Sequence, residues 1–143
     1  MMVQVLDASV AAKWFLPSLD EPLTGQAYEL FRLFSVAELE LIVPDIFWAE
    51  FGAILWKAVR RKRFSQADAD AALSAMLAMN LPTTPTALLL RDAFTIAKAF
   101  DRTVYDSVYV ALAVRTKAPL VTADERLANA LGGAYPVRWL GLL

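Results

Sequence analysis

The chain has 143 residues, no cysteine and no histidine, and 14 basic against 15 acidic side chains, for a formal net charge of −1. That inventory excludes disulfides, thiolate sites and histidine-based catalytic triads, and it leaves any metal to oxygen ligands of the kind that suit magnesium, manganese or calcium. A chain so close to neutral does not seek nucleic acid as a whole; such a ligand would need a local basic patch.

Taken in chain order, "VQVLD" (Val3–Asp7) is a short apolar run that ends in an acid and reads as a first strand. "ASVAAKWFL" is helical and stops before Pro17. Pro22–Leu39 shows helical spacing through Leu23, Ala27, Leu30, Phe31 and Phe34, and Pro22 suits a helix start. "LELIVP" is a second strand bounded by Pro44, followed by a long helix over "DIFWAEFGAILWKAVRRK". The next helix, "FSQADADAALSAMLAMN", opens on Ser65 and Asp68 at capping-box spacing. "LPTTP" is a short extended piece, then "TALLLRDAFTIAKAF" and "TVYDSVYVALAV" are two helices in succession. "APLVTA" is a strand, "DERLANAL" a helix and "YPVRWL" a last strand, with Gly132-Gly133 as a turn between them. Strands alternating with helices predict an α/β fold with a mostly parallel sheet covered on both faces.

Hydrophobic residues make up 58% of the chain and the mean hydropathy is +0.45. No apolar run approaches the ~20 residues of a membrane span. The first residues have no basic start, and Asp7 interrupts them. The expectation is one domain over 1–143 with no signal peptide and no membrane segment, compatible with the cytoplasm. The surplus of apolar residues then serves a deep core and a partner surface, for which Trp48 and Trp56 are candidates because they lie off the main stripe of their helix.

Four acids carry the functional reading. Asp7 and Asp124 each follow a strand, so in a parallel sheet both belong at the carboxyl edge, where ligands bind. Each is also a plausible helix N-cap. Glu50 borders the apolar stripe of Phe47, Phe51, Ile54, Leu55 and Ala58; the dull alternative is a surface glutamate paired with Lys57 or Arg61. Asp106 is the only charge between Arg102 and Arg115, in a helix apolar on all faces. With Thr103 it fits a capping box, yet a buried first turn would need more than a cap if the acid stays ionised. Four acids gathered in one cleft repel unless a divalent cation neutralises them, which makes Asp106 a candidate metal ligand.

"VLDAS", "PDIFWAEFGAILWK", "YDSVYVALA" and "LVTADERL" resemble the four acidic motifs of the PIN domain, most closely in the VapC-type toxins of VapBC toxin–antitoxin pairs. The resemblance covers nearly the whole chain, and the last two motifs are its most specific part. It implies a three-layer α/β/α sandwich and a magnesium- or manganese-dependent endoribonuclease that cleaves RNA. It also implies a cognate VapB-type antitoxin and a homodimer. By motif the catalytic and metal-holding acids would be Asp7, Glu50, Asp106 and Asp124, with Thr122 and Ser9 as supporting hydroxyl positions. Asp45 and Asp101, near two of the motifs, are the competing acids.

"KAVRRKRF" carries Lys57, Arg60, Arg61, Lys62 and Arg63. It reads either as an RNA-backbone contact, with Arg60, Arg61 and Arg63 as candidates, or as a solvated helix end favoured by the helix dipole. Three other functions compete. A haloacid-dehalogenase-like phosphatase also places an Asp after its first strand, but it needs a second Asp where this chain has Ser9. A non-catalytic α/β module would use the acids only as caps and ion pairs. A PIN nuclease could instead act on DNA or in RNA processing.

Overall fold

A computed structural model describes all residues, Met1–Leu143. Five strands form one parallel sheet: β1 Met2–Leu6, β2 Leu39–Pro44, β3 Thr83–Thr84, β4 Leu120–Thr122 and β5 Val137–Trp139. Their spatial order is β3-β2-β1-β4-β5. β1 is therefore central, pairing Val5 with Ile42 of β2 on one side and with Leu120 of β4 on the other. Val5 and Leu6 are both fully buried, and so are Leu120 and Val121. Successive strand residues point to opposite faces, so both faces of the sheet are covered. The expected mostly parallel sheet is in fact wholly parallel, and the architecture is the three-layer α/β/α sandwich.

Seven α-helices complete the layers: α1 Ala8–Ala12, α2 Thr24–Ser35, α3 Ile46–Arg60, α4 Gln66–Ala78, α5 Thr86–Phe100, α6 Val104–Thr116 and α7 Glu125–Leu131. α1 packs on α3 and α3 on α4, while α5 packs on α6, which crosses β2, β1 and β4. The core between α1 and α3 is aromatic: Phe51 stacks on Phe47 at 6.0 Å and meets Phe15 edge-on at 5.8 Å. No helix is long and apolar enough to cross a membrane.

Two readings of the sequence change here. The first helix stops at Ala12, short of Leu16, because Trp14 and Phe15 turn out of it on i−3 hydrogen bonds and Trp14 Nε1 donates to the Ala27 carbonyl at 2.7 Å. The first turn of α6 is not buried: Tyr105 is 65% exposed, and only the run Ser107–Ala113 lies inside. Its two inner turns are apolar all round because they sit between the sheet and α5.

Candidate active site

The strand order reverses at β1, whose two neighbours are β2 and β4. Parallel neighbours end on the same edge, and open parallel sheets offer a crevice at such a switch point. Asp7 follows β1 directly, and Asp124 comes two residues after β4. A cleft of about 310 Å³ lies there, and Asp7, Glu50, Asp106 and Asp124 all line it, with Ser9 beside them. Ala53 and Ile54 of α3 give it an apolar wall. The four acids come from four separate parts of the chain: the β1 end, α3, the first turn of α6 and the β4 end.

The supporting hydroxyls knit two of the acids together. Thr122 is fully buried and donates from Oγ1 to Asp7 Oδ2 at 2.7 Å. The same oxygen accepts the Asp124 N–H at 3.1 Å. Asp7 Oδ1 accepts the Ser9 N–H at 3.3 Å, and Ser9 Oγ accepts the Ala123 N–H at 3.4 Å. Asp7 is thus the N-cap of α1 as well as a wall of the cleft. Asp124 caps α7, its Oδ1 accepting from Arg126 and Leu127 N–H groups at 3.0 and 3.2 Å. Asp106 sits in the capping box, donating its N–H to Thr103 Oγ1 at 3.0 Å.

Glu50 has no such support. Its Oε1 is buried without a hydrogen-bond partner, and so is the Tyr109 hydroxyl that faces it. Lys57 and Arg61 do not pair with it; the chain's only ion pairs are Lys13–Glu21 at 3.8 Å and Arg32–Glu29 at 2.7 Å. No acid of the cleft is in a salt bridge, and the one cation that acts on any of them is Arg102, on Asp106 and beyond ion-pair distance.

The proton affinities follow. Burial pushes the Asp7 carboxyl up to about 6 from its ordinary 3.8; hydrogen bonds from Thr122 and Ser9 oppose this and the Glu50 charge adds to it. Burial, then the Asp106 charge, raises Glu50, against the Tyr109 hydroxyl. Burial also raises Asp106, with the Asp124 charge adding, while Thr103 and Arg102 pull the other way. The Glu50 charge thus acts on Asp7, the Asp106 charge on Glu50 and the Asp124 charge on Asp106, so the four acids form one electrostatically linked row. The Tyr109 phenol is raised by burial and by the Asp7 and Glu50 charges, so it stays protonated.

The competing acids lie elsewhere. Asp45 Oδ1 accepts from the Thr86 N–H at 3.0 Å and from the Thr86 hydroxyl, tying the end of β2 to α5. Asp101 is the left-handed C-cap of α5 at φ 53°. Neither lines the cleft. Tyr109 was missed in the sequence; the available signal was a phenol one turn after Asp106, a polar tip on an otherwise apolar helix. Arg60, Arg61 and Arg63 do not line the acidic cleft, and Arg60 lies over the Trp56 ring at 5.7 Å.

An all-oxygen donor set with an orphaned buried carboxylate oxygen fits a hard divalent cation. As they stand, no three acidic side chains are spaced like the ligands of one ion, so the fit requires side-chain rotation.

Residues 5–131 match the family model described as PIN domain. Ribonuclease VapC3 of Pyrobaculum aerophilum is 35% identical over 130 residues, which cover 90% of this chain and 94% of that protein. The crystal structure of PAE2754 from the same organism superposes with a TM-score of 0.67 at 23% identity, covering 99% of this chain and 85% of that one. VapBC2 from Rickettsia felis, bound to a DNA fragment from its promoter, gives a TM-score of 0.63 at 13% identity over 96% of this chain and 98% of that one.

Proposed function

The chain belongs to the PIN-domain family, and we propose that it is a metal-dependent endoribonuclease, the toxin of a cytoplasmic toxin–antitoxin pair. The observation that carries this is a linked row of four carboxylates around one cleft with no basic side chain paired to them. Carboxylates alone would repel an RNA phosphate, so the row suits a phosphodiester only with a cation between them. Magnesium or manganese would there supply an acidified water and neutralise phosphate charge, without any histidine.

Asp7, Glu50 and Asp106 would hold the metal, with Asp124 completing the set. Thr122 fixes the Asp7 rotamer and, through the same oxygen, the backbone of Asp124. That bridge ties the ends of β1 and β4 to each other. Ser9 holds the loop after β4 against α1. The Tyr109 hydroxyl lies close enough to the Asp7 and Glu50 carboxylates to feel both charges, and with a small side-chain rotation it would donate to Glu50. Ala53 and Ile54 exclude water along one wall. Likeness to VapC3 and to the VapBC2 complex supports a VapB-type antitoxin as partner; that the toxin itself is a homodimer is part of the same proposal.

The purified chain, free of any partner protein, should cleave RNA in magnesium or manganese and stop in EDTA. Undiminished cleavage in EDTA by protein verified to be metal-free would overturn the metal assignment.

A further inference from the structure

Beside the acidic cleft lies a second cavity, of about 180 Å³, between the loop after α1 and the end of α3. Ile54 lines both, so the two cavities adjoin at that side chain. Its polar walls are Lys57, Arg61 and Arg63 on the α3 side and Asp20 and Glu21 on the loop side. Glu21 is spoken for: it meets the buried Lys13 Nζ at 3.8 Å. Three cations then face one unpaired carboxylate, and none of the three is in an ion pair.

The cations are placed by the helix itself. Glu50, Ile54, Lys57 and Arg61 follow at steps of four, three and four, which is one face of α3. At 1.5 Å per residue, Lys57 lies about 10 Å and Arg61 about 16 Å along the axis from Glu50. Lys62 then takes a left-handed conformation at φ 58°, which turns the chain back so that the Arg63 N–H reaches the Ala58 carbonyl at 2.9 Å. That return puts Arg63 on the cavity beside Ala58. The last carbonyls of α3 are taken as well: Lys57 O accepts from Arg61 N–H and Val59 O from Lys62 N–H, at 3.1 and 3.0 Å. The negative helix end is therefore capped by backbone, and the side-chain cations remain free for a ligand.

We propose that this cavity is a phosphate subsite, in which Lys57, Arg61 and Arg63 grip a non-scissile phosphate of the RNA strand whose scissile bond lies in the acidic cleft. The inference rests on the RNA-cutting reading of that cleft. A guanidinium pair and an ammonium converging on one small cavity suit a phosphate better than a base. The line of Glu50, Lys57 and Arg61 along one helix face is what a strand running out of the cleft would follow. An acidic protein segment is the other ligand the charges could take, but it would not require continuity with the cleft.

The test separates binding from cutting. Binding of a fluorescent 12-nucleotide single-stranded RNA is measured by anisotropy in EDTA over a salt series, about 0.05 to 0.4 M, where counterion release sets the slope. For the wild type, Lys57→Gln/Arg61→Gln, Asp20→Asn and the distant Arg91→Gln are compared. Losing one phosphate contact should flatten the slope by about 0.7 and weaken binding about five-fold at 0.1 M salt in the double variant. Asp20→Asn should bind RNA more tightly than wild type, and Arg91→Gln should match wild type. An unchanged slope in the double variant, or an equal loss in Arg91→Gln, overturns the subsite. So does a double variant that keeps its RNA slope but releases a fluorescent poly-glutamate peptide, which would mark a protein-docking site. A wild type that binds RNA with the pocket-dependent slope yet cuts none in magnesium keeps the subsite and overturns only the cutting reading.

Discussion

Asp7→Asn separates what the Asp7 charge costs the fold from what its shape contributes. The carboxyl rises from 3.8 to about 6 in the folded protein, about two pH units, which at 1.36 kcal/mol per unit is about 3 kcal/mol. The direction is that of a raised acid. The folded state holds the proton more tightly than the unfolded one. That stability is fully present below 3.8 and is lost as pH rises through about 6. Asparagine removes the titration and caps α1 as well as aspartate does. It also places an amide where Thr122 donates to Oδ2, and reorganising that hydrogen bond costs about 1 kcal/mol. In EDTA at pH 8 the variant should therefore be about 2 kcal/mol more stable than wild type, and at pH 4 level or about 1 kcal/mol less stable. Urea unfolding across that range reads this directly: at an m-value of about 2 kcal/mol/M the midpoint difference at pH 8 is about 1 M. Subtracting the two curves cancels the other carboxylates. A difference that stays flat from pH 4 to 8, or a variant less stable at pH 8, refutes the argument that burial makes this charge a burden.

Asp106→Asn should also leave metal-free stability equal or higher, on the order of 1 kcal/mol, while abolishing cleavage; with EDTA and with magnesium, its melting temperature should respond less than that of wild type. A variant that melts well below wild type in EDTA, with both shifted equally by magnesium, would make Asp106 a helix cap and nothing more. Tyr109→Phe deletes a buried hydroxyl that has no well-formed hydrogen bond, so its stability should stay within about 1 kcal/mol. Manganese affinity and cleavage should fall about 10- to 100-fold if the hydroxyl orients Glu50, as measured by calorimetric titration and single-turnover kinetics.

Strands and helices were legible wherever the apolar period was unopposed. The apolar pattern and its proline boundaries alone mark β2 at Leu39–Pro44 and α5 at Thr86–Phe100, and the structure has both at those bounds. The stops were harder. With five glycines in the chain, left-handed turns after helices fall instead on Ala37, Lys62, Asn80, Asp101 and Lys117. Tertiary contacts outweigh the local cost of those conformations. Pro22 suggested the start of α2, but Leu23 is left-handed at φ 63°, so the helix begins at Thr24. At the cleft, Asp7 and Asp124 could be placed together because strand ends of a parallel sheet share an edge. The cationic cavity could not be seen: its walls, Leu16–Glu21 and Ile54–Arg63, are more than thirty residues apart in sequence and meet only because α1 packs on α3.

The dull and the functional readings of the acids turn out to be compatible, and that decides which residues carry the argument. Asp7 and Asp124 cap helices, and Asp106 lies in a capping box. A cap is served equally by asparagine or serine, so it calls for an oxygen at that place and not for a charge. Yet burial and neighbouring acids raise Asp7 and Asp106, so here charge opposes folding. Capping therefore accounts for the positions and leaves the choice of acid over amide unexplained. Glu50 sharpens the point, because it caps nothing, pairs with nothing and buries an oxygen without a donor. A residue that contributes no local stability and adds repulsion to its neighbours has a physical reason to be there only if something positive binds among them. Glu50 is thus the acid for which a structural role is hardest to find, and the one on which the metal reading chiefly rests.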